Sequence, residues 1–326
     1  AAEALFAAWV ERLFDAPPEQ SLQFPSLEPI LRDPGRNFLL DHLRRGEDKR
    51  LPATPDCADL PYFLRTYFAW KMGLPTAYRP CTRGSSGSPP RCRAPVVQTA
   101  FFRTPATAAS FTEISRALMD TVHSGSARTA LADDSTDFYP IPLERRYLWP
   151  GTVFADPFGH VLVIVKWVAQ AKGREGLLLA MDAQPDNSVG RKRFWEGNFL
   201  FASDVPSAGA GFKAFRPLIA SDGRRGRLRP ASNAELGRGA GFAPYSAEQS
   251  RLTAEDFYAR MGRLINPAGL DPESAYEATL KALVEQLETR VTSVDNGEDY
   301  LRRNPGTVIA MPSGAAIFET CLLYTS

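Results

Sequence analysis

The sequence predicts an α+β fold: an antiparallel sheet packed on a cysteine-bearing helix, with helical segments added at both ends. Three observations predict it. Two apolar strand-length runs, HVLVIVKWV from His160 to Val168 and the LLLAMDA run before Gln184, are joined by the hairpin-length AQAKGRE. They therefore pair as antiparallel neighbours. The stretch DCADLPYFLRTYFAWKMGLP repeats apolar residues at helical spacing behind Cys57. The two ends of the chain carry apolar faces of helical period.

Each element follows in order. Residues 1–50 read as a helical N-terminal segment broken at Pro17-Pro18 and at Asp33-Pro34-Gly35. ALFAAWVERLF aligns Leu5, Trp9 and Leu13, and RNFLLDHLRR aligns Phe38, Leu39 and Leu43 around His42. Residues 51–204 form the main domain. Its first helix recurs at Leu60, Leu64, Tyr67 or Phe68, and Met72, and ends at Gly73. Pro61 fixes the start, because a proline beyond the first turn would clash with the carbonyl four residues back, that of Cys57. The helix therefore begins at or just after Cys57. That places the thiol among unpaired N–H groups at the positive end of the dipole, where thiolate is favoured.

Residues 81 to 145 are loop-rich, with one helix near ASFTEISRALMDTVHSG. PGTVFADPFGH reads as turn, short strand and turn before the His160 strand, and RKRFWEGNFLF as a further strand or turn pair. Residues 205–245, rich in Gly, Ser and Arg, read as an irregular linker whose Arg224 to Arg229 run is a solvated loop. Residues 246–320 form a helical extension ending in a strand, with helix starts at Thr253 and at Asp271-Pro272. PGTVFADP and PGTVIAMP share six of eight positions and read as two similar turn-to-strand entries. The last six residues, CLLYTS, follow GAAIFET abruptly and resemble a translated sequencing-adapter tail. Residues 321–326 are expected to be non-native, and Cys321 is set aside.

Apolar content of 44% and charge of 23% are those of a water-soluble globular protein. A net charge of +1 gives no electrostatic case for nucleic acid or an anionic membrane. No apolar run approaches the roughly 20 residues that span a bilayer, and Val161 to Val165 is of strand length, so no transmembrane segment is expected. No His/Cys cluster has ligand spacing, so neither metal nor other cofactor is implied.

Cys81 and Cys92 bracket TRGSSGSPPR, a loop with no packing value of its own, and are expected to form a disulfide. That bond implies an oxidising, extracytoplasmic compartment: periplasm, cell envelope or secretion. Cys57 is then the odd thiol and a candidate for chemistry. The alternative is that all the thiols are reduced and inert.

There are three histidines. His42 reads as a surface or packing residue, and His123, after a helix, as a C-terminal capping cation. His160 opens a buried strand at its edge. Asp182 is the only acid in its apolar strand, where an unpaired carboxylate is costly to bury, and His160 is the obvious partner. Alone, Asp182 fits a strand-end turn former equally well. Together, Cys57, His160 and Asp182 supply what thiol catalysis needs: a thiolate, an imidazole and a group that orients it.

At these residues the chain resembles the papain-like superfamily, and in particular NlpC-type cell-wall peptidases. Asp56, Cys57, Ala58, Leu60, Gly73, Leu74 and Pro75 match that family's active-site helix. Pro150, Gly151, Gly159, His160 and Val161 match its turn and Gly-His-Val strand. An Asp in the third position is similar to the transglutaminase-like branch. The resemblance implies a papain-like fold, Cys57 as nucleophile, His160 as base and Asp182 as orienter. It implies amide hydrolysis or acyl transfer on a peptide, with a peptidoglycan stem peptide as substrate. A non-catalytic binding or structural envelope protein on the same fold is the alternative from another class.

Overall fold

A computed structural model describes residues 2–85, 87–99, 101, 107–184, 186–203, 209–221, 227–237 and 241–306. The tail 321–326, Cys321, the second PGTV copy beyond 306 and residues 224–226 of the Arg224 to Arg229 run lie outside the described residues, as does any strand ending the 246–320 extension.

The first helix, α1 (Ala2–Leu13), buries Phe6, Trp9, Val10 and Leu13. The face is rotated from the expected one: Leu5 is 38% exposed. After β1 (Gln23–Phe24) and α2 (Glu28–Leu31), the helix expected over RNFLLDHLRR is replaced by turns. Asp41 and Arg44 have positive φ, and Asp41 Oδ1 accepts from the N–H groups of Arg45 and Gly46. Short polar side chains that satisfy neighbouring backbone compete directly with a helix.

The next helix, α3 (Asp59–Met72), ends at Gly73 in the left-handed conformation, as its sequence predicts. It is buried along nearly its whole length, and Trp9, Phe63, Trp70 and Phe111 crowd around Tyr67. Strands β2 (Thr76–Tyr78) and β3 (Val96–Gln98) pair into a small sheet beside it, and a Cys81–Cys92 disulfide closes the loop between them. Two helices follow, α4 (Ala108–Met119) and α5 (Ser124–Ala127). His123 caps the start of α5 and not the end of α4. Its Nδ1 accepts from Gly125 N–H at 3.1 Å, and Nε2 faces the Cys81 carbonyl at 3.0 Å. A ring nitrogen that accepts carries no proton, so the capping-cation expectation is corrected: His123 is neutral here.

The main sheet is built from β4 (Phe138–Pro140), β5 (Val153–Ala155), β6 (Val161–Val168), β7 (Leu177–Ala183), β8 (Val189–Arg193) and β9 (Gly211–Phe215). With β1 it runs in the order β1-β8-β7-β6-β5-β9-β4, antiparallel throughout. Strand β9 lies inside the stretch read as a linker, yet it pairs with both β5 and β4. Its Lys213 is buried and donates to the Ala127 and Thr129 carbonyls, and burial pulls its pKa down to about 7. Beyond it, β10 (Leu218–Ala220) and β11 (Leu228–Pro230) pair antiparallel. The chain then enters α6 (Ala254–Ile265) and α7 (Pro272–Arg303). Both expected start signals act: Thr253 accepts from Asp256 N–H and Asp271 from Ser274 N–H.

Both faces of the sheet are covered. Val163, Val165, Leu179, Met181 and Ala183 pack with α1 and α3. Phe154, Leu162, Ile164, Leu178, Ala180 and Phe212 pack with Phe257 and Met261 of α6. Burial on two faces explains why β6 and β7 read as unbroken apolar runs without polar alternation. The architecture is thus a mixed α and β one with an antiparallel sheet and several helices. No described helix is long and apolar enough to cross a membrane.

Candidate active site

The site starts at Asp56. Its Oδ1 accepts from the N–H groups of Ala58 at 2.8 Å and Asp59 at 2.9 Å, capping the turn that leads into α3. Asp59 reaches back to the Asp56 N–H at 3.5 Å, the reciprocal pattern of a capping box. Cys57 is fixed between these two carboxyls at 5% exposure. Pro61 cannot donate to the Cys57 carbonyl, so α3 starts just beyond the thiol. Burial, and then the neighbouring Asp56 charge, push the Asp59 carboxyl up to about 8.

The β5–β6 hairpin lies across the thiol. Its turn is closed by the Asp156 N–H donating to the His160 carbonyl at 2.9 Å. Asp156 Oδ1 accepts from Phe158 N–H at 2.5 Å, and Gly159 turns through φ 123°. The Gly159 carbonyl lies 3.8 Å from Cys57 Sγ, within reach of the S–H when the thiol is protonated, across 102 residues of sequence.

His160 follows directly. Its Nδ1 lies 3.4 Å from Asp182 Oδ1, and Gln184 Nε2 donates to the other carboxylate oxygen at 2.6 Å. The register accounts for the meeting. Val163 pairs with Met181, so Leu162 faces Asp182, and His160 sits one same-face step further out. Burial works against charge on the His160 ring. The Asp182 carboxylate and its hydrogen bond, then a hydrogen bond and charge from Cys57, outweigh it and hold the imidazole pKa well above its usual value. A proton held on His160 stabilises a thiolate on Cys57.

The three residues singled out in the sequence, Cys57, His160 and Asp182, therefore sit together where α3 begins and where β6 and β7 meet. Sequence reasoning missed three others. Asp156 flanks His160 from the β5 side, as Asp182 does from β7. Burial pushes its carboxyl up to about 6, and the His160 charge pulls the other way. No local period marks its place opposite His160, which the cross-strand pairing of β5 with β6 sets. Gln184 follows Asp182 by two, the period that keeps a side chain on one face of a strand. Asp59, three after Asp56, had the capping-box spacing. Among the described residues no group of three or more His, Cys, Asp or Glu could hold a metal ion.

No family model matches the chain, and neither a curated protein nor a solved structure matches it.

Proposed function

We propose that the protein is a cysteine-dependent amide hydrolase or acyltransferase of papain-like type. The observation that carries this reading is the seating of Cys57 Sγ 3.8 Å from the Gly159 carbonyl, directly before His160 in the chain, with His160 Nδ1 3.4 Å from Asp182 and its pKa raised by both Asp182 and Cys57. The Cys57 thiolate attacks the carbonyl carbon of an amide and forms a tetrahedral intermediate. His160 gives its proton to the leaving amine as the C–N bond breaks, which leaves a thioester. A water or an acceptor amine, deprotonated by His160, then releases the acyl group. Asp182, held by Gln184, keeps the ring oriented and stabilises its charge. The Ala58 and Asp59 N–H groups are engaged by Asp56, so oxyanion stabilisation falls to the Cys57 N–H. The Cys81–Cys92 bond supports an extracytoplasmic setting, where cell-wall stem peptides are the favoured substrates.

The test is alkylation of Cys57 by iodoacetamide at pH 6, followed in the tryptic peptide 51–65. An ordinary thiol of pKa about 8.5 is almost wholly protonated at pH 6, so His160→Ala should slow the reaction about 100-fold. Equal rates in the two proteins would sink the proposal. Adding an acceptor amine to a substrate assay separates hydrolysis from transfer. The 5% exposure of Cys57 favours one second reading, a non-catalytic binding or structural protein on the same framework. Full biological effect in Cys57→Ala would establish it.

A further inference from the structure

The turn across Cys57 carries one side chain that the mechanism above does not use. Phe158 is 54% exposed, and outside α7 no described large apolar side chain is more so. A single exposed apolar residue on a general surface needs no explanation. This one has an unusual address. Its own N–H is fixed by Asp156, and the next residue supplies the carbonyl that lies 3.8 Å from the Cys57 sulfur. The residue after that is His160. The turn is also closed by the Asp156–His160 backbone bond at 2.9 Å, and Pro157 locks its own φ. The backbone thus fixes the point from which the ring projects, one residue before the carbonyl that lies 3.8 Å from the Cys57 sulfur.

We propose that Phe158 determines specificity by taking up an apolar, aromatic-sized side chain on the acyl part of the substrate. The inference rests on the Cys57, His160, Asp182 reading. It narrows the substrate class to peptides with such a side chain next to the amide that is attacked. Contact between two rings removes both from water at the site of reaction, and an exposed ring on a fixed turn has no ordering cost of its own backbone.

The experiment compares two alkylating reagents on the full chain at pH 6: iodoacetamide and N-(2-phenylethyl)iodoacetamide. In both, an S–C bond to Cys57 forms as the C–I bond breaks, iodide leaves, and the thiol proton stays on His160. The rate ratio of phenylethyl to plain reagent is read in peptide 51–65 and normalised to the same ratio for N-acetylcysteine. The expected normalised ratio is about 10, equivalent to about 1.4 kcal/mol. Phe158→Ala should bring it to about 1, and Phe158→Leu should keep most of it. A ratio near 1 in the unaltered protein, or one that Phe158→Ala does not lower, overturns the assignment of Phe158. If that happens while alkylation still depends on His160, the catalytic reading stands and only the specificity claim falls. An iodoacetamide rate indifferent to His160→Ala overturns both.

Discussion

Asp59 shows how much the ground beside the thiol is shaped by carboxyl groups. Its pKa is raised to about 8, first by burial and then by the Asp56 charge. The folded protein thus prefers the protonated form. The stability this contributes is complete below the unfolded value near 3.8 and is lost as pH rises through about 8. Asp59→Asn keeps a neutral side chain at every pH. Its denaturation midpoint, measured from pH 5 to pH 9, should gain on the unaltered protein as pH rises, with the largest advantage at pH 9. A constant difference across that range would show that Asp59 is not buried as a neutral acid. Gln184 gives a second check, since it holds one oxygen of Asp182. Gln184→Ala should slow Cys57 alkylation at pH 6 by about 3- to 10-fold, less than loss of His160, because the carboxylate remains but is no longer held.

The contact between α1 and the start of β5 depends on one glycine. Gly151 has φ 92°, and a Cβ there would lie 2.5 Å from the Phe6 ring of α1. Gly151→Ala combines a left-handed alanine with a clash against a buried aromatic, and should cost about 2 kcal/mol or more in chemical denaturation. Elements of this kind divide into those the sequence announces and those it hides. Pro61 and Gly73 mark the ends of α3 by backbone chemistry alone, and the short link between β6 and β7 sets their pairing. Three features were illegible for stated reasons. Strand β9 reads GFKAF, and nothing local says that Lys213 will find two carbonyls inside. The 37–45 segment has a helical apolar pattern, but its turns are decided by Asp41 bonding its neighbours. The second carboxyl beside His160, Asp156, is placed by a cross-strand pairing that no one-dimensional period reveals. The pairing of His160 with Asp182 was legible because one acid in an apolar strand demands a partner.

Across the molecule, the N-terminal 50 residues and the main sheet share one core, with α1 and α3 packed on the same face of β6 and β7. A buried polar cluster ties them further. Lys71, at the far end of α3 from Cys57, is held by Glu47 and Asp48 at 2.5 Å each, and Tyr67 links Asp48 to Asn37 and so to Trp9. Burial of Glu47 opposes its charge, but Lys71 and nearby backbone donors lower its pKa to about 2. That stability is present above the unfolded value of 4.5 and is lost as pH falls toward 2, so acid unfolding should begin within that window. Lys71→Met leaves two buried carboxylates without their cation and should cost about 3 to 5 kcal/mol in urea denaturation at pH 7.

A consequence reaches the thiol itself. One end of α3 positions Cys57, and the other is moored to anions supplied by the opening segment. A chain cut after residue 50 would lose both the anions that hold Lys71 and the apolar face that covers α3, so the helix bearing the nucleophile would lose much of its packing. The first fifty residues are in effect an intramolecular chaperone that never leaves.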